Sequence, residues 1–421
     1  MSFFTSNTSR LTIPTNDRRR FFKQSGGLLA LSTLAAPGSF ATPYLPRRPT
    51  PTDDRVVEGF PPAQLVGRPE PEDLELGLAP AERVGFAIVG LGEYGANYII
   101  PNLGSTHKCK LTAVVSGNPE KRDAIAEAHG IAPEHRYSYD NFDEIANDEA
   151  VDVVYIIVPN VFHRNLTERA FAAGKHVLCE KPMAVTSVDC QAMIDAGKKA
   201  GKKLMIGYRA QFDPYNLEAI RLIKEGKIGS PSLVVADHSH LLPLDKPANQ
   251  WRAKQEVAGG GSLYDIGIYS LNGARYLLDE EPVSVTARYH QGSGNPEVTV
   301  EEEIEWQMAF PSGAVANCSS SYLTTNNKRI HVQGDKGELT LDPATNYYIR
   351  ALKINDRSQK NHHLEEIVIP NPNQFVPMLD EMATAVQEDR EPKTPGEEGL
   401  RDVRIMEAIY RAAETNETVT L

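Results

Sequence analysis

The chain is 421 residues long, 41% hydrophobic and 24% charged, the make-up of a globular protein with room for two domains. A formal net charge of −12 argues against a general nucleic-acid binder, though not against one basic pocket. No apolar run reaches the ~18 residues of a membrane-spanning helix.

Residues 1–41 read as an export signal. Arg18, Arg19, Phe21 and Lys23 resemble the twin-arginine pattern, and Leu28 to Ala36 form a short apolar segment. Ser39 and Ala41 stand in the small-residue spacing that a signal peptidase accepts. Cleavage after Ala41 would remove five basic residues and one acid, taking the charge from −12 to −16. That route carries folded proteins to the periplasm, which suits one that loads a cofactor before crossing. Residues 42–82 read as an extended arm, since 42–80 hold nine prolines and almost no periodicity. With no domain ahead of it once the signal is cut, the arm is expected to lie on its own domain or on a partner subunit.

From Arg83 strands and helices alternate. "VGFAIVG" reads as a buried strand, 93–103 as helix, "KLTAVVS" as strand and 119–129 as helix. "VDVVYIIVP" (151–159) is an all-apolar strand, of the kind covered on both faces. "VFHRNLTERAFAAG" reads as a helix ended by Gly174, "KHVLCE" as strand, 187–200 as helix and "KKLMIGY" as strand. This βαβ series predicts a parallel sheet with right-handed crossovers over 83–208.

After Arg209 the rhythm changes. "SLVVADHSH", "VSVTARYHQ", "EEEIEWQMAF", "AVANCSSSY", "RIHVQG" and "ELTLD" read as strands without long helices between them, which predicts an antiparallel sheet. Ile304, Trp306, Met308 and Phe310 alternate with polar residues, giving that strand one wet face or one interface face. Phe375, Met378, Leu379 and Met382 mark a helical stripe, and 396–413 a second closing helix. The fold class is therefore α/β followed by α+β: a Rossmann dinucleotide-binding domain, then a largely antiparallel, open-faced sheet domain over 209–421. Cys109, Cys179, Cys190 and Cys318 form no CxxC pair and read as buried free thiols, even for an oxidising compartment.

"GLGEYG" (Gly90, Leu91, Gly92, Glu93, Tyr94, Gly95) sits between the first strand and the first helix, the context a dinucleotide fingerprint requires. Gly90 allows the tight turn, Gly92 the approach of a pyrophosphate, and Gly95 close packing of helix on strand. A site for NAD usually ends the second strand with an acid that binds the ribose hydroxyls. Here Ser116 stands in that place, followed by Gly117 and Asn118, with Lys121 and Arg122 close behind. A hydroxyl and cations welcome a 2′-phosphate, so the predicted cofactor is NADP.

"DIGIYSLN" places Asp265 and Tyr269 four positions apart, about one turn along one face of a helix. On spacing alone the pair is either catalytic or the polar edge of a buried helix. His238 and His240 lie two apart on a strand and share a face, but no third ligand accompanies them, so no metal site is expected.

"CEKPM" (179–183) follows the fifth strand. With "GLGEYG", "VPNVFH" and "GGGSLYDIGIY" it resembles the glucose–fructose oxidoreductase/inositol dehydrogenase/MocA family, from residue 83 to the C-terminus. "VSGN", "YDNFDEIA", "KKLMIGYR", "WQM", "DPATNYY" and "TPGEEG" resemble its glucose–fructose oxidoreductase subgroup, as do the export signal and the proline-rich arm. The family motif usually ends in His where this chain has Tyr269; the subgroup carries Tyr there. The resemblance implies proton transfer by Lys181 and Tyr269 and a sugar contact by Asp265. It also implies that Tyr139, Pro159, Asn160, His163, Glu180, Lys181 and Arg209 line the cofactor. Tyr208, Arg209, Trp251, Arg252 and Tyr348 offer faces and donors for a sugar or the nicotinamide. A free phenol of pKa about 10 is a poor base near neutrality, and a neighbouring Lys181 cation is expected to lower it.

The resemblance thus implies a sugar oxidoreductase that holds its NADP tightly and recycles it. One sugar leaves as a lactone, a second as a polyol, and the chain forms a dimer or tetramer. The loop 238–251 departs from the subgroup, which leaves an aldose–aldose oxidoreductase in view. An ordinary NADP-exchanging sugar dehydrogenase and a sugar-sensing protein on the same fold are the other readings; the Lys181, Asp265 and Tyr269 set argues against the sensor.

Overall fold

In the computed structural model, "VGFAIV" forms β1 (Val84–Val89), buried at every residue as a strand covered on both faces must be. The structure describes residues 79, 82–290, 292–358 and 363–421; the expected export signal and nearly all of the proline-rich arm lie outside them. β2 (Cys109–Val115), β3 (Arg136–Tyr137), β4 (Val153–Ile156), β5 (His176–Glu180) and β6 (Leu204–Gly207) join β1 in an all-parallel sheet of order β3-β2-β1-β4-β5-β6. This is the doubly wound order, with its switch point between β1 and β4.

The first helix differs from expectation. Residues Gly95–Ile99 form a π-helical turn that passes into a short α1 (Ile100–Leu103), with Pro101 at its start. α2 (Pro119–Ala128), α3 (His163–Ala172) and α4 (Ser187–Ala200) fall within two residues of the predicted bounds. Local chemistry explains their ends: Thr186 caps α4 by accepting from the Asp189 N–H, and Gly201 closes it at φ 63°.

In the second half, α5 (Pro214–Lys224) begins at Asp213, whose carboxylate accepts from the N–H groups of Tyr215 and Asn216. It was not predicted. The second sheet has nine strands: β7 (Pro231–Ser239), β8 (Ser284–His290), β9 (Glu303–Ala309), β10 (Val315–Ser321), β11 (Asn327–Gly334), β12 (Gly337–Leu341), β13 (Leu352–Asp356), β14 (His363–Ile367) and β15 (Val419–Thr420). Their order is β14-β13-β12-β11-β7-β10-β9-β8-β15. All neighbours are antiparallel except the central pair, since β10 runs parallel to β7. The chain reverses this because α6 (Gln255–Ala258) and α7 (Ile268–Leu278) intervene between β7 and β8 and return it across the sheet. In β9, Ile304, Trp306 and Met308 are buried while Glu305 and Gln307 are exposed, as the alternation predicts.

Of the closing helices, α8 (Phe375–Gln387) packs on the Rossmann half: Phe375, Met378, Leu379 and Met382 share a core with Phe86, Ile88 and Val114. α9 (Gly396–Thr415) is tied to α7 by a buried ion cluster. Arg275 pairs with Glu398 at 3.1 Å and with Asp402, and Asn272 donates to both carboxylates. All four cysteines are free and buried.

Two tests follow from these contacts. A Cβ at Gly95 would meet the Gly90 carbonyl oxygen at 2.5 Å, whereas one at Gly92 meets nothing within 4 Å. Gly92→Ala should therefore leave urea stability within about 0.5 kcal/mol while cutting the nucleotide content of purified protein; Gly95→Ala should lose both. In the ion cluster, burial pushes Asp402 up to about 7, while Arg275 and Arg401 overcome burial and hold Glu398 down at about 2. Asp402 then contributes stability that is lost as pH rises through 7, and Glu398 stability that is lost as pH falls from 4.5 towards 2. The pair should favour a urea midpoint that is highest between those limits. Arg275→Met should cost about 3–5 kcal/mol, and more at pH 8 than at pH 6.

Candidate active site at the strand ends

The carboxyl ends of the Rossmann strands converge on one edge. Gly90 leaves β1 at φ 95°, where a Cβ would strike the Ile157 oxygen at 2.0 Å, so only glycine makes this turn. The open space over Gly92 fits a pyrophosphate at the start of the helix. Leu91 is buried in the core beneath, and Glu93 is exposed at the rim. The Tyr94 ring packs against Tyr98, Tyr347 and Phe375, and its buried hydroxyl faces Glu180 and Tyr347.

At the end of β2 the Ser116 hydroxyl accepts from the Asn118 N–H at 3.2 Å. Asn118 caps α2 through the Lys121 N–H at 2.9 Å, so its side chain serves the helix. Gly117 lies under the Tyr139 ring, 3.2 Å from where its Cβ would stand. Lys121 is exposed, and Arg122 pairs with Asp123 at 2.9 Å. A hydroxyl rather than a carboxylate therefore stands where a 2′-phosphate would lie, and the residues present fit NADP.

After β4, Pro159 leads into a tight turn in which Asn160 donates to the Ala258 carbonyl at 2.7 Å, tying the two halves together. His163 is fully buried. Its Nε2 faces the Val158 oxygen at 2.8 Å and its Nδ1 the Pro182 oxygen at 3.0 Å, so it clamps the loop after β4 to the loop after β5. Both ring nitrogens are thus engaged by backbone oxygens.

β5 delivers Glu180 and Lys181. The Glu180 carboxylate accepts from Tyr155 at 2.5 Å, and burial raises its pKa. The Lys181 Nζ donates to the Asp265 backbone oxygen at 2.6 Å and lies 4.6 Å from the centre of the Tyr269 ring. Burial pulls its ammonium down to about 8.

The second half supplies the opposite wall. Asp265 lies in a π-helical turn (Leu263–Gly267) and Tyr269 in α7, so the pair is presented by a widened turn rather than by regular α-helix. Asp265 Oδ2 receives Arg252 Nε at 3.3 Å, the Tyr322 hydroxyl at 3.2 Å and His240 Nε2 at 3.4 Å. Against the effect of burial, Arg252, Lys181 and His240 hold its carboxyl below the usual range.

Tyr269 corrects an expectation: burial pushes its phenol up, only partly offset by Arg209, and the Lys181 cation rests on the ring face. Arg209 lies between the Tyr269 and Tyr347 rings, 4.8 and 4.5 Å from their centres. Trp251 stacks on Arg252 at 4.6 Å and so backs the site through it. Tyr348 stacks on Tyr98 and is half exposed at the rim. Tyr208 turns away: its buried phenol faces Asp402 and Glu398 in the ion cluster, outside the site, because the chain after β6 packs it into the core.

Sequence reasoning assigned no role to Tyr322, Tyr347, Thr345 or Gln374, although Thr345 and Tyr347 lie inside the quoted "DPATNYY" and Tyr322 ends "AVANCSSSY". His238 and His240 were weighed only as metal ligands. In the structure they accompany the two members of the Asp265/Tyr269 pair, His240 at Asp265 and His238 stacked on Tyr269 at 5.7 Å. The period-two spacing in "HSH" at a strand end was the available signal.

Known proteins can now be set beside this geometry. The family model described as "Oxidoreductase family, NAD-binding Rossmann fold" matches residues 84–208, and "Oxidoreductase family, C-terminal alpha/beta domain" matches residues 220–421. The D-xylose 1-dehydrogenase (NADP(+)) of Haloarcula marismortui is 32% identical over 85% of this chain and 98% of its own. The 1,5-anhydro-D-fructose reductase of Ensifer adhaerens is 25% identical over 80% of this chain and 98% of its own. A crystal structure of aldose–aldose oxidoreductase from Caulobacter crescentus, complexed with glycerol, is similar at 47% identity with a TM-score of 0.77. That match covers 80% of this chain and 100% of the other. With both halves matched in order, the chain belongs to the GFO/IDH/MocA family of oxidoreductases.

Proposed function

We propose that this NADP-dependent oxidoreductase oxidises an aldose at its anomeric carbon to the lactone and reduces a second aldose to the polyol, keeping NADP bound between the two half-reactions. The observation that carries the chemistry is Lys181, a buried amine with its pKa near 8 beside Asp265 and Tyr269. Accepting the hydride and giving it back is the chemistry NADP supplies. Lys181 takes the hydroxyl proton as the lactone carbonyl forms and returns it to the carbonyl oxygen of the second sugar. Tyr269, kept protonated by burial, donates to the same sugar oxygen. Three donors converge on Asp265 Oδ2, which directs Oδ1 to accept a sugar hydroxyl.

The motifs point to a ketose as the second sugar. The 47% identity to an aldose–aldose oxidoreductase favours an aldose instead. A dehydrogenase that exchanges NADP at each turnover is the second reading, favoured by the 32% identity to a D-xylose 1-dehydrogenase. Dialysed protein should release NADP on denaturation. Its 340 nm absorbance should rise with one aldose and fall with another; nucleotide-free protein that turns over only with added NADP would establish the exchanging dehydrogenase.

Sugar oxidation needs the neutral amine and should accelerate as pH rises through about 8, while reduction needs the ammonium and should slow over the same range. Lys181→Met should lose on the order of 10²–10⁴-fold in both half-reactions, measured by single-turnover absorbance. Near-normal rates in a folded, NADP-loaded Lys181→Met protein would refute its role.

The export reading of residues 1–41 belongs to the same proposal, with the periplasm as destination and a dimer or tetramer as the working assembly. Replacing Arg18 and Arg19 with lysine should leave the precursor in the cytoplasm, read by fractionation; undiminished export would refute it.

A further inference from the structure

His238 is 1% exposed, yet both its ring nitrogens are engaged. Nδ1 lies 2.8 Å from the Ser270 Oγ, and Ser270 donates onward to the Ser319 carbonyl at 3.3 Å. A hydroxyl has one hydrogen, so Nδ1 must be the donor in the first of these bonds. Nε2 is then the acceptor, and the Thr345 hydroxyl donates to it at 2.9 Å. The network fixes one neutral tautomer, and burial favours that neutral form.

Thr345 carries the connection further. Its backbone oxygen accepts from Arg209 Nη2 at 2.8 Å, and the Arg209 guanidinium lies 4.8 Å from the centre of the Tyr269 ring. Gln374 holds the other arm of the fork at 2.5 Å. The His238 ring itself is stacked on Tyr269 at 5.7 Å, with 26° between planes. His238 therefore meets Tyr269 twice, directly through the stack and indirectly through Thr345 and Arg209.

We propose that His238 is a positioning residue for the sugar chemistry, setting the Tyr269 ring and, through Thr345, the Arg209 cation beside it. The inference rests on the functional reading above. Tyr269 is faced by Lys181 and Glu180 from the end of β5, Arg209 from the chain after β6, His238 from β7, Asp265 from the π-turn and Tyr347 from the loop after β12. Of these, Arg209 lowers the pKa of both Tyr269 and Lys181, while Glu180 and Asp265 raise both.

His238→Asn keeps a donor towards Ser270 but cannot reach Thr345; His238→Gln can place an acceptor at the Nε2 position. Misplacing groups by an ångström costs as much as about 10²-fold in rate, so His238→Asn should lose 10- to 100-fold in kcat with sugar KM and bound NADP little changed. His238→Gln should recover most of that loss. With Arg209 displaced, the rising limb of sugar oxidation against pH should move upward in His238→Asn. Thr345→Val cuts the link without touching the Tyr269 ring and should behave alike, and the double variant should lose no more than the worse single one.

A readout independent of turnover separates this inference from the functional one. In protein labelled with ¹³C at tyrosine Cζ, with the Tyr269 signal assigned through Tyr269→Phe, Thr345→Val should shift that signal. Wild-type protein inert towards every sugar would sink the functional reading and leave the positioning role to that spectrum. An unmoved Tyr269 signal in Thr345→Val would overturn the positioning role. So would losses in His238→Asn that track melting temperature while the pH profile stays fixed.

Discussion

The site depends on keeping a lysine cation inside the protein. Taking an ammonium out of water costs several kcal/mol after relaxation, and the surroundings of Lys181 offset that only in part. Its nearest acceptor is a neutral backbone carbonyl, and an aromatic face lies beneath it. The Glu180 and Asp265 carboxylates act on it through space, while Arg209 and Arg252 oppose them. A carboxylate in direct contact would keep the proton on the amine; a carbonyl lets burial decide, and the pKa falls to about 8.

The second half of the chain is arranged around that requirement. The Asp265 carbonyl reaches Lys181 from a π-helical turn, in which the Ile268 amide bonds back five residues to Leu263. Glu301 holds the start of this turn, accepting from the N–H groups of Gly261 and Leu263 at 2.8 and 2.9 Å, and Tyr410 of α9 binds the same carboxylate at 2.7 Å. Gly261 has no room for a side chain, since a Cβ would lie 1.9 Å from the Glu301 backbone oxygen. The helix that presents Asp265 and Tyr269 is thus fastened at its entry by Glu301 and along its length by the Arg275 cluster. Misplacing it would also move the carbonyl that receives Lys181.

Much of this was legible in the sequence, for identifiable reasons. The Rossmann strands are continuous apolar runs; Gly90 and Gly95 answer local steric demands, and Gly92 leaves open the space a pyrophosphate would take, a pattern that one sequence displays. The antiparallel character of the second sheet followed from alternation, but the parallel β7–β10 pair did not, because strand direction is set by helices that return the chain from far away. α5 carried legible signals that went unread, Asp213 as a cap, Pro214 at the first helical position and apolar residues at helical spacing, whereas π-turns have no periodicity to betray them. The residues around Tyr269 come from five separate segments, so their meeting is a property of topology. The Tyr269 phenol shows the limit most clearly: its neighbour Lys181 was identified, but the approach of that cation onto the ring face and the burial of the phenol are tertiary information, and burial reverses the expected sign of the shift.

The same lysine bears on why a bound, recycling cofactor would suit this geometry. With its pKa pulled down to about 8, Lys181 carries the neutral amine as a minority form at pH 7. An enzyme that releases its cofactor must recover that minority form at every turnover by shedding a proton to solvent from a buried site. In the recycling scheme the proton taken from the first sugar is the one given to the second. Lys181 then ends each cycle in the state in which it began, and the buried site exchanges no net proton with water. Burial, which opposes the ammonium, favours handing the proton on. The desolvation that sets the pKa of Lys181 and the economy of a retained cofactor thus act in the same direction.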